Sequence, residues 1–345
     1  MSRIYKVTFV IIGTVIGAGF ASGQEIYTFF NKYGLYGLFG LVFSLFILSF
    51  IIYKTLKISI EKDIDVYEEF VKCILPSVFK ENKIIVFTIS NIINIFLLIS
   101  FNIMVSGFSA YFFQEFSIYR IIGGIIIAII SFIVFIKGID GVVKINSYLI
   151  PIIFILIIIL GIKRIDSFQI SINSQSAYYW LISSILYASY NSICLVPILI
   201  SLKRYINTKK EARLVSIFTF VIMLILSIVI FLLMNSHLEN IFNIEIPIVY
   251  IASTLGNFGK YIYGICVLIA IFTTAVSSGY GFLKNVTNSQ KMYLYLSFAI
   301  CILSIIFSQI SFSGLISTLY PIFGYLGILQ IIFLLTAWKK DACLI

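Results

Sequence analysis

The chain has 345 residues, of which 61% are hydrophobic and 11% are charged, and its formal net charge is +10 at pH 7. Its mean hydropathy of +1.11 lies far outside the range of soluble domains. This composition excludes a soluble globular protein and predicts a helical protein that crosses the membrane many times. Most of the positive charge falls in short loops, so we interpret it as orienting the membrane spans and not as a nucleic-acid-binding surface.

No pattern of reactive side chains predicts catalysis. The five cysteines are spread over apolar spans and predicted cytoplasmic segments, without the spacing of a metal site. The single histidine, His237, lies in a polar loop beside Glu239. The sequence contains no nucleotide-binding or hydrolase motif. We therefore predict that the chain is not an enzyme, needs no cofactor, and has the lipid bilayer and a small solute as its partners.

Windows of about twenty apolar residues predict ten membrane spans. They cover approximately residues 7–30, 34–56, 84–112, 119–136, 141–162, 177–202, 213–235, 257–283, 291–310 and 313–338. Two connections are long. Residues 57–83 predict an amphipathic cytoplasmic helix, and residues 236–256, which contain Pro247, predict a short helix over the outer face.

Lysine and arginine are distributed unevenly between the two sides of these spans. With the N-terminus inside, only five of the 24 fall outside, namely Lys32, Arg120, Lys163, Arg164 and Lys260. The positive-inside rule therefore predicts a plasma-membrane protein with both termini in the cytoplasm.

The first span contains the stretch around which the other predictions are arranged. Four glycines crowd its middle, at Gly13, Gly17, Gly19 and Gly23. Glycine leaves helical geometry at little cost, so we interpret the span as a helix broken between about Ile16 and Ser22. Close packing of small residues is an alternative reading of the glycines. It does not explain the polar pair Gln24-Glu25, because a carboxylate in a membrane span is costly and points to function.

The spacing of the spans predicts an internal repeat. Spans 3 and 8, and spans 4 and 9, begin about 172 residues apart. Span 6 carries its own polar interruption at residues 187–192, followed by Pro197. The pattern fits a single domain with a five-plus-five inverted repeat, copies at about residues 5–165 and 174–340, and broken helices 1 and 6. Coincidence of spacing is the alternative, because no residue-level similarity links the halves.

Polar groups from three spans predict a solute site. The unwound part of span 1 offers amides at the N-terminal end of a half-helix, which suits a substrate carboxylate. Span 6 supplies hydroxyl, aromatic and amide contacts, and span 3 adds an asparagine, although bonding between helices explains that residue equally well. The predicted substrate-binding residues are Gly17, Ala18, Gly19, Phe20, Ser189, Tyr190, Asn191 and Asn102.

Neutral oxygens predict a Na⁺ site next to the break. Thr274, Ser277 and Ser278 share one face of span 8 because they are spaced i, i+3 and i+4. Carbonyl groups released by the break, at Gly13 and Ile16, complete the predicted ligand shell. The alternative is that these hydroxyls bond back to carbonyl groups of their own helix.

Two stretches carry a resemblance to a known family. Gly-Ala-Gly-Phe-Ala-Ser-Gly-Gln-Glu at residues 17–25 and Leu-Tyr-Ala-Ser-Tyr-Asn at residues 186–191 resemble the YkvI family of predicted bacterial amino acid permeases. That family has the LeuT-type fold of the amino acid–polyamine–organocation superfamily. The resemblance implies a broken first helix that binds the substrate carboxylate and a sodium site shared with helix 8. It also implies that spans 1, 2, 6 and 7 rock against spans 3, 4, 8 and 9.

The chain departs from the sodium-coupled members of this superfamily at two points. Phe20 replaces their asparagine, which argues against a second sodium site, and Gly23-Gln24-Glu25 stands where they have an arginine of the outer gate. Glu25 therefore has two candidate roles. It is either a structural anchor for the unwound backbone or an ion-coupling group that is protonated during transport, because burial favours a neutral carboxyl group. Lys144 is a second ion-coupling candidate, although it lies where a lysine side chain extends to the cytoplasmic surface.

We predict a secondary active transporter that takes up a small zwitterionic solute, an amino acid in the simplest case, with one Na⁺ ion. One alternative keeps transport but couples it to protons through Glu25 or Lys144. The other is a non-transporting receptor for nutrients or germinants on a permease-like scaffold. The sequence carries no prediction of the oligomeric state.

Overall fold

The computed structural model describes residues 2–75, 83–137, 140–163, 179–237, 241, 244–254, 256–287 and 289–341. The side chains at residues 2, 83–87, 89, 90, 140–150 and 337–341 lie outside this description. Across the described ranges the chain is helical or irregular and contains no strand, as the composition predicts.

The helices follow one another in two halves of the chain. The first half contains α1 (Ser2–Val15), α2 (Ala18–Ala21), α3 (Gln24–Phe29), α4 (Gly34–Glu61), α5 (Tyr67–Ile74), α6 (Lys83–Phe116), α7 (Arg120–Lys137) and α8 (Asp140–Lys163). The second half contains α9 (Trp180–Leu202), α10 (Lys209–Asn235), α11 (Pro247–Ser253), α12 (Asn257–Val286), α13 (Gln290–Phe307) and α14 (Phe312–Asp341).

Eight helical segments in the described ranges are long and apolar enough to cross a membrane. They are the run from α3 through α4, and helices α6, α7, α9, α10, α12, α13 and α14. The remaining predicted spans correspond to α1–α3, which is interrupted, and to α8, of which Pro151–Lys163 is a shorter apolar helix. A multi-pass helical membrane protein is therefore confirmed, whereas the count of ten spans and the inverted repeat stay predictions.

The outer faces of several helices carry large apolar side chains, as lipid contact requires. On α7, four isoleucines spaced one turn apart are between 40% and 55% exposed, at Ile121, Ile125, Ile129 and Ile133. Such a stripe cannot face water at low cost in a soluble protein. It marks this surface of α7 as the one that faces lipid.

The predicted break of the first span is confirmed. Helix α1 ends at Val15, and Gly17 is extended, with φ −79° and ψ −172°. A single turn, α2, follows before the chain turns again at Gly23, whose φ of +86° lies in the left-handed region that favours glycine. The span thus consists of two offset helices, α1 and α3, joined by α2.

The predicted break of span 6 is wrong, because α9 is helical throughout residues 180–202. Two of the polar side chains in the predicted interruption donate hydrogen bonds along the helix. Asn191 donates from Nδ2 to the carbonyl oxygen of Tyr187 at 3.0 Å, and Ser192 donates to that of Ser189 at 2.7 Å. The segment also contains no glycine, so none of its residues can leave helical geometry at low conformational cost.

Helix α9 packs closely between α4 and α14 because small residues face it. A Cβ atom built on Gly324 would lie 2.8 Å from the carbonyl oxygen of Leu186. Gly327 faces the backbone of Ser189, and Gly40 of α4 faces the side chain of Ser184. These approaches place α9, with Tyr190 at its middle, in the interior of the bundle.

The two long connections contain the predicted short helices. In α5, Phe70, Val71 and Ile74 are buried against the bundle, while Glu68 and Glu69 are exposed. The linker before α5 is held by Lys203, whose Nζ lies 2.5 Å from Asp63 and 3.1 Å from Asp65. Helix α11 begins at Pro247 and buries most of its apolar side chains.

Candidate functional site

The break in the first span leaves backbone groups without backbone partners. In a continuous helix the carbonyl oxygen of Gly13 would accept from the N–H of Gly17, and that of Ile16 from the N–H of Phe20. Among the backbone bonds of the described residues, neither of these occurs. Ile16 instead donates to Ile12 at 2.6 Å as the last bond of α1. The break thus exposes acceptors on its α1 side and donors on its α2 side.

Glu25 occupies the donor side of the break. Its side chain is 3% exposed, and its carboxylate accepts a hydrogen bond from the hydroxyl of Tyr190. It also lies directly against Gly19, because a Cβ atom built there would be 2.8 Å from Cγ of Glu25. Glu25 therefore anchors α2 to α9 from its position at the start of α3.

Aromatic rings surround this carboxylate. The ring of Tyr190 is stacked between those of Phe29 and Tyr320, with centroid distances of 5.5 Å and 4.7 Å. Tyr187 packs edge-on against Tyr190 at 5.5 Å. We call Phe29, Tyr187, Tyr190 and Tyr320 the aromatic cluster. It draws together α3, α9 and α14 around Glu25.

The structure brings some of the predicted substrate-binding residues together and separates others. Gly17, Ala18, Gly19 and Phe20 form the break, and Tyr190 reaches it through Glu25. Ser189 lies on the side of α9 that faces Gly327, with its hydroxyl buried and unpartnered within the described part of the chain. Asn191 bonds to its own helix, as does Asn102, whose Nδ2 donates to the carbonyl oxygen of Leu98 at 2.8 Å.

Two participants were missed by the sequence reasoning. Tyr320 lies in an apolar span with no polar neighbour to distinguish it, and only the folded chain shows that it stacks on Tyr190. Tyr263 of α12 donates a hydrogen bond of 2.9 Å to the carbonyl oxygen of Ala21, at the end of α2. It is the group through which α12 holds the break.

The hydroxyls predicted to bind Na⁺ lie on α12 beside the break. A Cβ atom built on Gly17 would be 3.8 Å from both Oγ1 and Cγ2 of Thr274, an ordinary contact distance. For Thr274, Ser277 and Ser278, no hydrogen bond to another described residue is recorded, whereas the adjacent Thr273 donates to the carbonyl oxygen of Ala270 at 3.1 Å. The alternative that the hydroxyls bond to their own helix therefore holds for Thr273. The hydroxyls of Thr274, Ser277 and Ser278 remain available to bind an ion.

These oxygens are of the type that suits an alkali cation. Hydroxyl groups and unwound carbonyl groups carry no formal charge, as in the sodium sites of secondary transporters. In the described part of the chain, no three His, Cys, Asp or Glu side chains cluster as a transition metal would require. Ser278 is 8% exposed and Ser277 is exposed, so the α12 face connects the break with the surroundings of the bundle. Lys144, the second ion-coupling candidate, lies outside the described side chains.

A polar network closes the break on the side predicted to be outside. Gln24 donates from Nε2 to the carbonyl oxygens of Ile244 and Glu245, at 2.8 and 3.1 Å. The N–H of Ile248 donates to the carbonyl oxygen of Ser22 at 3.1 Å. These bonds hold residues 244–248, which lead into α11 and include its first turn, against the broken span.

The same segment is tied to three other helices. Arg120 of α7 lies 2.5 Å from Oε1 of Glu245, and the Oε2 atom of Glu245 accepts from the N–H of Ser313 at 3.0 Å. The N–H of Ile246 donates to Oε1 of Gln114 at 2.9 Å. We call residues 244–248, with Gln24, Gln114, Arg120 and Ser313, the outer latch. The arginine of this latch comes from α7 and not from the stretch after the break, so the sequence comparison with sodium-coupled transporters did not find it.

Comparison with known proteins finds relatives that align with nearly the whole chain. No protein-family model matches it. It is 29% identical over 337 residues to the uncharacterized membrane protein YkvI of Bacillus subtilis (strain 168), covering 94% of this chain and 92% of YkvI. It is 26% identical over 339 residues to the uncharacterized protein YyaD of the same organism, covering 95% of this chain and 96% of YyaD.

Solved structures supply the fold. The chain superposes on a Na⁺-coupled sialic acid symporter, in a substrate-bound outward-open state, with a TM-score of 0.52 and 13% identity. The superposition covers 95% of this chain and 76% of the symporter. At this level of identity the likeness shows the fold alone. The resemblance indicated by residues 17–25 and 186–191 is thus confirmed: the chain is similar to YkvI over nearly its whole length, and it is a multi-pass helical membrane protein that shares its fold with this symporter.

Proposed function

We propose that the chain is a secondary active transporter that takes up a small zwitterionic solute, an amino acid in the simplest case, together with one Na⁺ ion. The observation that carries this proposal is the broken first span, in which Gly17 lies beside Thr274 of α12. Broken helices that meet in the middle of a bundle provide ion and solute sites in secondary transporters. The fold shared with a Na⁺-coupled symporter supports the same function.

The proposed Na⁺ site combines the two sides of this contact. It takes carbonyl oxygens from Gly13 and Ile16 at the end of α1, which accept no backbone hydrogen bond among the described residues. Thr274, Ser277 and Ser278 add hydroxyl oxygens from α12. A bound ion would tie α1 to α12, so ion binding and the position of the broken span would be coupled.

One Na⁺ ion is sufficient to drive uptake. A membrane potential near 100 mV supplies about 2.3 kcal/mol per charge, and a tenfold Na⁺ gradient supplies about 1.4 kcal/mol. The sum corresponds to accumulation of roughly 500-fold for a solute without net charge. No second ion is needed, which agrees with Phe20 at the position where a second sodium site would require an asparagine.

The test is uptake into proteoliposomes in NaCl and in choline chloride, with two adjacent threonines as a matched pair. Thr274→Val removes a hydroxyl that faces the break, and we expect it to weaken the Na⁺ dependence of uptake strongly. Thr273→Val removes a hydroxyl that bonds to its own helix, and we expect Na⁺ dependence to be retained. If Thr274→Val and the double variant Ser277→Ala with Ser278→Ala both leave Na⁺ dependence unchanged, the proposed site is wrong.

Proton coupling through Glu25 is a second candidate, favoured by the burial of this carboxylate and by its bond to Tyr190. Uptake that follows pH but ignores Na⁺, and loses its pH dependence in Glu25→Gln, would select this candidate. Binding of a solute without any uptake would instead identify a receptor on a permease-like scaffold.

A further inference from the structure

One face of α10 is marked by a stripe of exposed apolar side chains. Ile217, Val221 and Ile225 follow one another at intervals of four residues and are between 43% and 47% exposed. Residues spaced by about one turn share a face of a helix. Because the chain is a membrane protein, this face of α10 lies against the acyl chains of the bilayer, as the isoleucine stripe of α7 does.

The same face of α10 ends in cations, on the side predicted to be cytoplasmic. Lys210 precedes Val221 by eleven residues, or about three turns, so the two side chains project in nearly the same direction. Arg213 lies at the margin of this face toward α4, where its guanidinium group is 5.9 Å from the ring centre of Tyr53. Both cationic side chains are exposed.

The positions of these cations along α10 match the level of the lipid headgroups. Helix α10 runs from Lys209 to Asn235, so its middle lies at residue 222. At a rise of about 1.5 Å per residue, Arg213 is about 14 Å from that middle and Lys210 is about 18 Å from it. The hydrocarbon core of a bilayer ends about 15 Å from its midplane. The two side chains therefore lie where the phosphate groups begin.

Tyr53 of α4 indicates the same level independently of α10. Residues 34–53 of α4 contain no charged side chain, and the charged residues of that helix begin with Lys54. Tyrosine is enriched where acyl chains meet water, because its ring is apolar and its hydroxyl is polar. The contact between Arg213 and Tyr53 thus joins the two helices at the boundary of the hydrocarbon core.

Lys210 and Arg213 are available to an external anion. Among the ion pairs of the described residues, Lys209 is joined to Glu61 of α4, whereas Lys210 and Arg213 are joined to no carboxylate. The backbone amides at the start of α10 already have a partner, because Thr208 caps them through a capping box. An anion bound here would therefore be held by the two side chains and not by the helix terminus.

We propose that Lys210 and Arg213, beside Tyr53, bind the phosphate headgroup of an anionic phospholipid in the leaflet predicted to be cytoplasmic. The acyl chains of this lipid lie along the stripe that begins at Ile217. A phospholipid with a choline headgroup brings its own cation next to the two cationic side chains and is disfavoured. A free phosphate compound lacks the chains that the stripe would contact. The inference is independent of the solute and of the coupling ion.

The test is thermal unfolding of the full-length protein in an uncharged detergent with three probes. They are phosphatidylglycerol, phosphatidylcholine with the same acyl chains, and glycerol phosphate, which has the headgroup anion without the chains. We expect only phosphatidylglycerol to raise the unfolding temperature, with saturation, because a ligand of the folded state stabilises it. The increase should be smaller in 1 M salt, which screens the exposed cations.

Three variants locate the effect on α10. Lys210→Gln with Arg213→Gln should weaken the binding of phosphatidylglycerol about 30-fold, since each cation near an anionic lipid surface contributes about fivefold. Lys209→Gln is the matched control, because it removes the same charge from a side chain that is paired with Glu61, and binding should be retained. Lys210→Gln alone should weaken binding about fivefold, and it keeps the test valid if loss of the contact between Arg213 and Tyr53 affects folding.

Five results would overturn the inference. Two of them are the absence of any response to phosphatidylglycerol and an equal response to phosphatidylcholine. Stabilisation by glycerol phosphate would identify a site for a free anion. An unchanged response in the double variant would place the lipid elsewhere, and an equal loss in Lys209→Gln would reduce the effect to net charge. None of these results bears on the proposed function, because the assay contains no solute and measures no transport.

Discussion

The hydroxyl group of Tyr190 donates a hydrogen bond to the carboxylate of Glu25, and this bond joins the continuous helix α9 to the broken first span. The two residues are separated by 165 positions in the sequence. Both side chains are at least 95% buried. Because water cannot replace the hydroxyl there, loss of the bond would leave one oxygen of the carboxylate without its donor.

We therefore expect Tyr190→Phe to destabilise the solute-free protein by about 1.5–3 kcal/mol, the usual range for a hydrogen bond to a charged group. Thermal unfolding in detergent measures this. Tyr187→Phe is the control, because its ring belongs to the same aromatic cluster but its hydroxyl has no partner recorded within the described residues. Equal losses in the two variants would show that the rings, and not the bond to Glu25, determine stability.

A second prediction concerns the glycines of the break. Gly19→Ala places a methyl group against the Glu25 side chain, with Cγ at 2.8 Å and Cδ at 2.9 Å, so the carboxylate has to move. We expect a loss of about 1–3 kcal/mol, typical of overpacking, together with loss of solute-dependent stabilisation. Gly17→Ala meets Thr274 only at 3.8 Å and should leave unfolding nearly unchanged. The reverse order of the two variants would contradict the position assigned to Glu25.

The outer latch yields a third prediction. Arg120→Gln removes the cation from a pair whose side chains are only 17% and 12% exposed, so the segment over the break should loosen. A cysteine introduced by Ile248→Cys, at a position that is 0% exposed, should then react with a maleimide several-fold faster. Exchange of the two charges, Arg120→Glu with Glu245→Arg, should restore part of the protection.

The matched control for the latch is Lys260→Gln, which breaks the ion pair with Glu115 and leaves residues 244–248 attached. Its labelling rate should equal that of Ile248→Cys alone. Faster labelling in this control would mean that any loss of charge on this side opens the structure, and the specific role of Arg120 would have to be abandoned.

A fourth prediction concerns pH and the linker before α5. Hydrogen bonding and charge attraction from Lys203 hold the pKa of Asp63 below its ordinary value of 3.8. Since the pKa of the folded state is depressed, the contribution of this pair is present above that ordinary value and is lost as pH falls through the lowered pKa. Asp63 is exposed, so Asp63→Asn should lower the unfolding temperature only slightly at pH 7. The decrease should be smaller in 1 M salt, which screens the ion pair, and absent in strong acid, where Asp63 is protonated in both the folded and the unfolded state. A deficit that persists at high salt would contradict an ion-pair effect.

The break in the first span was predictable because its cause is local. Gly23 adopts left-handed geometry that other residues reach only at a cost, and the glycines that flank the break are visible in the sequence. The continuity of α9 was not predictable from the polar residues in the stretch 187–192. Asn191 and Ser192 use their side chains on carbonyl groups of the same helix, and sequence alone does not distinguish that use from a break.

The partners of Glu25 were beyond prediction for a different reason. A carboxylate in a membrane span was recognisable as functional, but its contact with Tyr190 depends on the way α9 packs against α3. The same holds for Arg120, the first residue of α7, and Glu245, which precedes α11. Contacts between distant parts of the chain are set by packing, and neither hydropathy nor spacing encodes them.

The continuity of α9 has a mechanical consequence. From Tyr190 to Leu202 it spans about 18 Å, at a rise of 1.5 Å per residue, and this stretch contains Pro197, which donates no hydrogen bond to the helix. The next residue, Lys203, forms ion pairs with Asp63 and Asp65 in the linker that precedes α5. One helix therefore connects the buried carboxyl group at the centre of the bundle with this linker, on the side predicted to be cytoplasmic.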